Sequence, residues 1–297
     1  MSPSQPGILA PVPRVARFLC YRLRAGGEAR AVLGRLAAMS AADRGDESIV
    51  GLGRALLLAA GRPVDGLREH PRHSLAGVDV PSTGAALWLR LVGPDPGALV
   101  HATTAWSAAL GPDLALDEVT DAFRYDVGRD LSGYIDGTEN PKGQDAPAAA
   151  LVQGQGPGQD GASFVAVQRW VHDMPAMAAL SKARMDDLVG RDRDTDAERT
   201  EAPPTAHVKR AAQESFTPAA FVLRRSMPWS CGAEAGLVFI AFGHSLDAYE
   251  AILARMCGLE DGQTDGLFQF TRPVTGLTAW CPPLRADGRL DLSAIRA

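Results

Sequence analysis

The chain reads as an α+β protein built from two similar units in tandem, each an antiparallel sheet with helices on one face. Three observations support this. At 297 residues the chain can supply two ordinary hydrophobic cores. Its apolar periodicity gives the order β-α-β-β-α-β, and then gives it again. Between the two runs, residues 141–161 are rich in Gly, Pro, Gln and Ala, the composition of a surface connection. The units are placed at residues 1–145 and 146–297.

In the first unit, RVARFLCYRL (14–23) is apolar and aromatic enough for a strand, and Val32, Leu36 and Met39 mark a helix face. Strands are predicted at 48–58 and 86–92, a helix at 96–110 and a strand at 119–127. In the second unit, SFVAVQRWV (163–171) is a strand, and 175–189 a helix with Met177, Leu180, Met185 and Leu188 towards one side. Residues 190–206 are too charged and proline-rich for a core and form a solvated loop. Strands at 220–227 and 236–243 follow, then a helix carrying Leu246, Tyr249, Leu253 and Met256, and a last strand within 267–280. This order is the split βαβ, or ferredoxin-like, unit.

No apolar run approaches the ~18 residues of a membrane span. Thirty basic against 35 acidic side chains leave a net charge of -5, which disfavours nucleic acid and anionic membranes as partners. A small molecule or a protein fits better. Cys20, Cys231, Cys257 and Cys281 form no C-x-x-C pair, so neither a zinc knuckle nor a redox dithiol is read here. The N-terminus lacks the basic start and apolar core of a secretory signal, and its early prolines disfavour a transit helix. These features place the protein in the cytoplasm.

Three segments could carry chemistry. GYIDGTENP (133–141) is, in the ordinary reading, a turn in which Gly133 and Gly137 free the backbone and Asp136 and Asn140 bond locally. Equally, an acid between glycines can be held rigidly against a ligand. In FVLRRSMP (221–228), alternation puts Arg224 and Ser226 on one strand face and Arg225 on the other, so one arginine points inward and the other to solvent. An inward arginine needs an anion, and Asp136 could be its salt-bridge partner or its catalytic co-worker. His207, in AHVKR, is a backbone-bonded histidine or a ligand. His70 and His73 have ligand-like spacing, but Pro71 breaks the turn that would aim both at one ion. His101 and His172 read as residues without a role.

Taken together and in this order, GYIDGTENP, SFVAVQRWVHDM, LVGRDRDTDAER, AHVKR, VLRRSMPW and LFQFTRPVTG resemble the dye-decolorising peroxidases, a haem family, in their compact B-type branch. The resemblance spans roughly residues 8–285 and implies the same tandem ferredoxin-like fold, with haem b, one per chain, in the C-terminal half. It implies His207 as the proximal ligand of the haem iron, and Asp136 and Arg224 as the distal acid and arginine. Neutral imidazole suits ferric haem. A distal acid can move a proton between the oxygens of hydrogen peroxide while a cation stabilises the developing charge. Ser226 would line the distal pocket, and Asp265 would accept the second ring N–H of His207. Gly137, beside Asp136, would border the haem; Phe239 and Phe242 would wall it too, with core packing the equal alternative for either.

The implied function is the one-electron oxidation of dyes and small aromatic donors by hydrogen peroxide. The alternative is a haem carrier or iron-release protein with incidental peroxidase activity, which would have no use for Asp136 and Arg224. Electrons from bulky donors would pass through aromatic side chains. Trp170, Trp229, Trp280 and Tyr249 are the candidates, although a buried aromatic is more often core than relay. The resemblance also implies a homo-oligomer. The tail RLDLSAIRA is similar to peptides that dock such enzymes inside encapsulin shells, yet it follows the last strand so closely that a docked terminal segment is preferred.

Overall fold

Both runs of strands pair antiparallel in the order of a split βαβ unit, and the two sheets then join edge to edge. The computed structural model describes residues 3–40, 45, 47–75 and 77–295. Its strands are β1 (Val15–Leu23), β2 (Ile49–Gly53), β3 (His73–Leu75), β4 (Val78–Val80), β5 (Leu87–Val92), β6 (Leu114–Phe123), β7 (Ser163–His172), β8 (Leu223–Arg224), β9 (Met227–Cys231), β10 (Glu234–Gly243), β11 (Thr271–Pro273) and β12 (Leu277–Cys281). The first sheet runs β6-β1-β5-β2 and the second β12-β7-β10-β9. β12 pairs with β2 through Ala279–Gly53 and Trp280–Leu52, and β6 pairs with β9 through Ala122–Trp229. Each sheet thus satisfies the other's open edges, and the strands close into a ring.

Closure creates two environments that strand alternation then fills. On β10, Val238, Ile240 and Phe242 face the ring interior, together with Val165 and Val167 of β7, Phe18 of β1, Trp88 of β5 and Leu277 of β12. The Phe18 and Trp88 rings stack there at 6.2 Å. Outside the first sheet lie helices Ala29–Ala38 and Pro96–Leu110, which bury Val32, Leu36, Leu99 and Trp106. The C-terminal segment joins this layer through Leu290, Leu292 and Ile295; Arg296 and Ala297 lie outside the described residues. Outside the second sheet, helix Asp247–Met256 buries Tyr249 and Leu253 against Ala166 and Ala241.

One sequence expectation fails on this geometry. Phe239 and Phe242 are an odd number of positions apart, so they point to opposite faces. Phe239 faces outward, whereas Phe242 is fully buried inside the ring. Some element limits also shift. The 48–58 strand ends at Gly53, where helix Arg54–Ala59 begins, because its Leu- and Ala-rich run favours helix. The 175–189 helix is two, Met174–Ala179 and Lys182–Val189, the second capped by Ser181, whose hydroxyl accepts from Arg184 N–H. The ladder of the 220–227 strand is interrupted at Arg225 and Ser226, and Pro273 and Gly276 flank the break that divides the last strand. The β3–β4 hairpin was not legible in the pattern.

Removing the interior ring of Phe242 leaves a cavity that the closed sheet cannot collapse around. Phe242→Ala is expected to cost about 3–5 kcal/mol in urea unfolding. A cost under ~1 kcal/mol would contradict the interior placement.

Candidate active site

A cavity of about 470 Å³ lies on the outer face of the second sheet. Alternation along β7 turns Gln168, Trp170 and His172 towards it, and β10 contributes Leu237 and Phe239. Tyr249, Ile252, Leu253 and Met256 line it from helix Asp247–Met256, so most of its wall is apolar.

His207 enters from helix His207–Arg210, not from a sheet edge. This single turn is held from several sides. Arg210 donates to Asp261 at 2.7 and 2.9 Å and to the Arg255 carbonyl. Lys209 reaches Glu198 at 2.8 Å. Gly190, which ends helix Lys182–Val189 at φ +92°, lies so close that a Cβ on it would be 2.3 Å from the Val208 side chain. His207 Nδ1 bonds the fully buried Asp265 carboxylate at 2.8 Å. The other Asp265 oxygen accepts from Leu267 N–H at 2.8 Å, fixing the carboxylate's orientation. Nε2 is left for the cavity.

Asp136 and Arg224 also line the cavity, 3.7 Å apart. That separation is too long for a hydrogen bond, so each keeps its capacity for a third group. The Arg224 backbone is pinned by Asn140: its Oδ1 accepts from Arg224 N–H at 2.8 Å, and its Nδ2 donates to Arg224 C=O at 3.0 Å. The Asn140 side chain therefore stitches the 133–141 loop to the arginine strand, while its backbone N–H closes the turn on the Gly137 carbonyl at 3.0 Å. Gly137 is required by this clamp, because it sits at φ +81° and a Cβ there would lie 2.6 Å from Asn140 Nδ2. It buttresses the site without lining the cavity. Ser226 borders an adjoining cavity of about 210 Å³, which also touches Asp136, Arg224 and Asn140. Arg225 is half-buried and donates to the Leu9 and Ala10 carbonyls at 2.9 and 2.7 Å.

Two buried donors that border the cavity, Arg224 Nε and Gln168 Nε2, have no protein partner. Orphaned donors of this kind mark a place for a polar ligand group. His172, unassigned by the sequence reading, is buried at the cavity edge between Asp130, at 2.9 Å, and Thr271, at 2.7 Å. The period of two running from Gln168 through Trp170 was the signal that could have found it. Burial pushes the Asp130 carboxyl up, but hydrogen bonds from His172 and Ser132 outweigh this and hold it below the ordinary value. Of the candidate electron carriers, Trp170 and Tyr249 line the cavity, Trp229 donates to the Trp170 carbonyl at 2.9 Å, and Trp280 is buried in the first unit's core. Among the described residues no group of His, Cys, Asp and Glu forms a protein-only metal site.

The family described as Dyp-type peroxidase, C-terminal, matches residues 127–286. A dye-decolorizing peroxidase from Rhodococcus erythropolis is 30% identical over 296 residues, covering 93% of this chain and 85% of the relative. Among solved structures, a dye-decolorizing protein from V. cholerae has a TM-score of 0.83 at 28% identity, covering 94% of this chain and 97% of its own. A haem complex of a DypB variant from Rhodococcus jostii has a TM-score of 0.85 at 25% identity, covering 94% of this chain and 96% of its own.

Asn140→Ala leaves the Arg224 N–H unpaired and its carbonyl with only the Arg225 guanidinium as donor, and is expected to cost about 1–3 kcal/mol in urea unfolding; an unchanged midpoint would contradict the clamp. A carboxyl held down by folding stabilises the native state above its unfolded pKa of about 3.9, and that contribution is lost as pH falls through the folded value. Unfolding measured across acid pH should therefore show a flatter loss of stability below about pH 4 in Asp130→Asn than in the parent. Parallel curves would contradict it.

Proposed function

Because the chain belongs to the Dyp-type peroxidase family, we propose that its cavity binds haem through His207 and reduces hydrogen peroxide there with the help of Asp136 and Arg224. The chain is a peroxidase oxidoreductase, and the family's chemistry joins hydrogen peroxide to organic electron donors. Dyes and small aromatic compounds are the proposed donors. One observation carries the residue assignment. A carboxylate-backed imidazole and an acid–arginine ion pair 3.7 Å apart, beyond hydrogen-bond distance, share one largely apolar cavity.

The residues present fit haem. The apolar wall suits a macrocycle, Arg224 Nε and Gln168 Nε2 are buried donors without protein partners, and His207 presents a ring nitrogen. When bound, haem supplies the iron centre at which peroxide is reduced. Asp265, accepting from Nδ1, fixes the His207 tautomer with its lone pair on Nε2 and increases its donor strength. The Asp136 carboxylate takes a proton from one peroxide oxygen and returns it to the other, which leaves as water. The Arg224 guanidinium, held in place through Asn140, stabilises the negative charge that builds on the departing oxygen. Ser226 borders the adjoining cavity with both residues and would hold a water that relays the proton. A carrier has no use for such a pair, so catalysis is the reading favoured.

Haem-loaded Asp136→Ala, Arg224→Ala double variant is expected to slow the peroxide-driven Soret shift by about 10²-fold or more in stopped flow. Parent-like rates would overturn the assignment. His207→Ala should lose haem or alter its ligation spectrum; an unchanged spectrum would remove His207 from the role.

A further inference from the structure

We propose that Tyr249 and His70 form a buried redox pair, in which Tyr249 gives one electron to the cavity and its phenolic proton to His70. This rests on the peroxidase reading above. Tyr249 lines the cavity and is 4% exposed, and its hydroxyl lies 2.5 Å from Nε2 of His70, itself 2% exposed. The two residues come from different units, so the contact depends on the closed fold. It is held firmly: on the same segment as His70, Arg68 bonds Glu250 at 2.7 Å and Asp247 at 2.5 Å, both on the helix of Tyr249. Thr278 donates to the Arg68 carbonyl at 2.5 Å. Gly276 packs against the His70 ring so closely that a Cβ would lie 2.5 Å from Nδ1.

The chemistry of a buried phenol makes the partner necessary. Oxidising a phenol produces a strongly acidic cation, and an unpaired charge in this setting is costly unless the proton has somewhere to go. Burial keeps the Tyr249 phenol protonated well above its ordinary range, so its hydroxyl is the donor. Burial also lowers His70 to about 4, which keeps the ring neutral and its Nε2 lone pair free to accept. The carbonyls of Pro71 and Pro81 favour the ring once it is charged. In the step itself, one electron leaves the Tyr249 ring to fill an oxidising equivalent left by peroxide reduction. The Oη–H bond breaks and the proton crosses to Nε2. The products are a neutral phenoxyl radical and an imidazolium. An electron from an organic donor and return of the proton restore the pair, with hydrogen peroxide as the terminal oxidant.

The test is rapid freeze-quench EPR and proton ENDOR on the haem-loaded full chain after one equivalent of hydrogen peroxide, with the Soret band followed in the same mixing. The expected result is a tyrosyl signal coupled to a proton that exchanges in D2O. At equal haem content the signal should vanish in Tyr249→Phe and lose its exchangeable coupling in His70→Leu. Should His70→Leu not fold, the D2O comparison on the parent decides. A Soret shift without a tyrosyl signal, with a signal that survives Tyr249→Phe, or without an exchangeable proton overturns the pair while leaving the peroxidase reading intact. No Soret shift at all overturns the peroxidase reading and the pair with it.

Discussion

Strand alternation within a closed ring is the constraint on which the site depends. β7 and β10 each serve two masters: one set of side chains packs the ring interior, and the other walls the cavity. A shift of one residue in register would exchange Phe239 with a core position and carry Gln168, Trp170 and His172 away from the cavity. Because the ring has no free edge in the second sheet's central strands, such a slip would break pairings on both sides. The rigidity of the cavity floor is therefore a property of the fold as a whole.

Upon that floor, polar groups are placed in pairs that differ in purpose. His207–Asp265 and His172–Asp130 are in direct hydrogen-bond contact, which fixes ring orientation. Asp136 and Arg224 form an ion pair at 3.7 Å, beyond hydrogen-bond distance, while Asn140 clamps the Arg224 backbone. A closed ion pair would be the easier arrangement for two charges in a partly buried place. A separation beyond hydrogen-bond distance leaves the Asp136 oxygens and the Arg224 N–H groups able to bond one small molecule, and the buried Arg224 Nε and Gln168 Nε2 nearby have no protein partner.

Much of this was legible in the sequence, for identifiable reasons. Strands and helices with clean periods, such as Ser163–His172 and Asp247–Met256, emerge directly, since one buried face leaves a simple pattern. Asp136, Arg224 and His207 were found through motif order, and the structure brings them to one cavity. What escaped depends on contacts between distant segments. The ring closure needs edge pairing that no local pattern encodes, the Asn140 clamp joins positions far apart, and Tyr249 meets His70 across the two units. Of the two readings open for Phe242, core holds, because it lies on the interior face of its strand, and the carbonyl partners of Arg225 escaped because they lie at the opposite end of the chain.

The central claim is that His207 binds an iron porphyrin in the cavity it shares with Asp136 and Arg224. Anomalous diffraction at the iron edge from crystals of the haem-loaded protein tests this most directly. The account predicts a single iron peak inside the cavity lined by Asp136 and Arg224, with His207 as the side chain that holds it. An iron peak bonded to another side chain, or porphyrin outside this cavity, would contradict it.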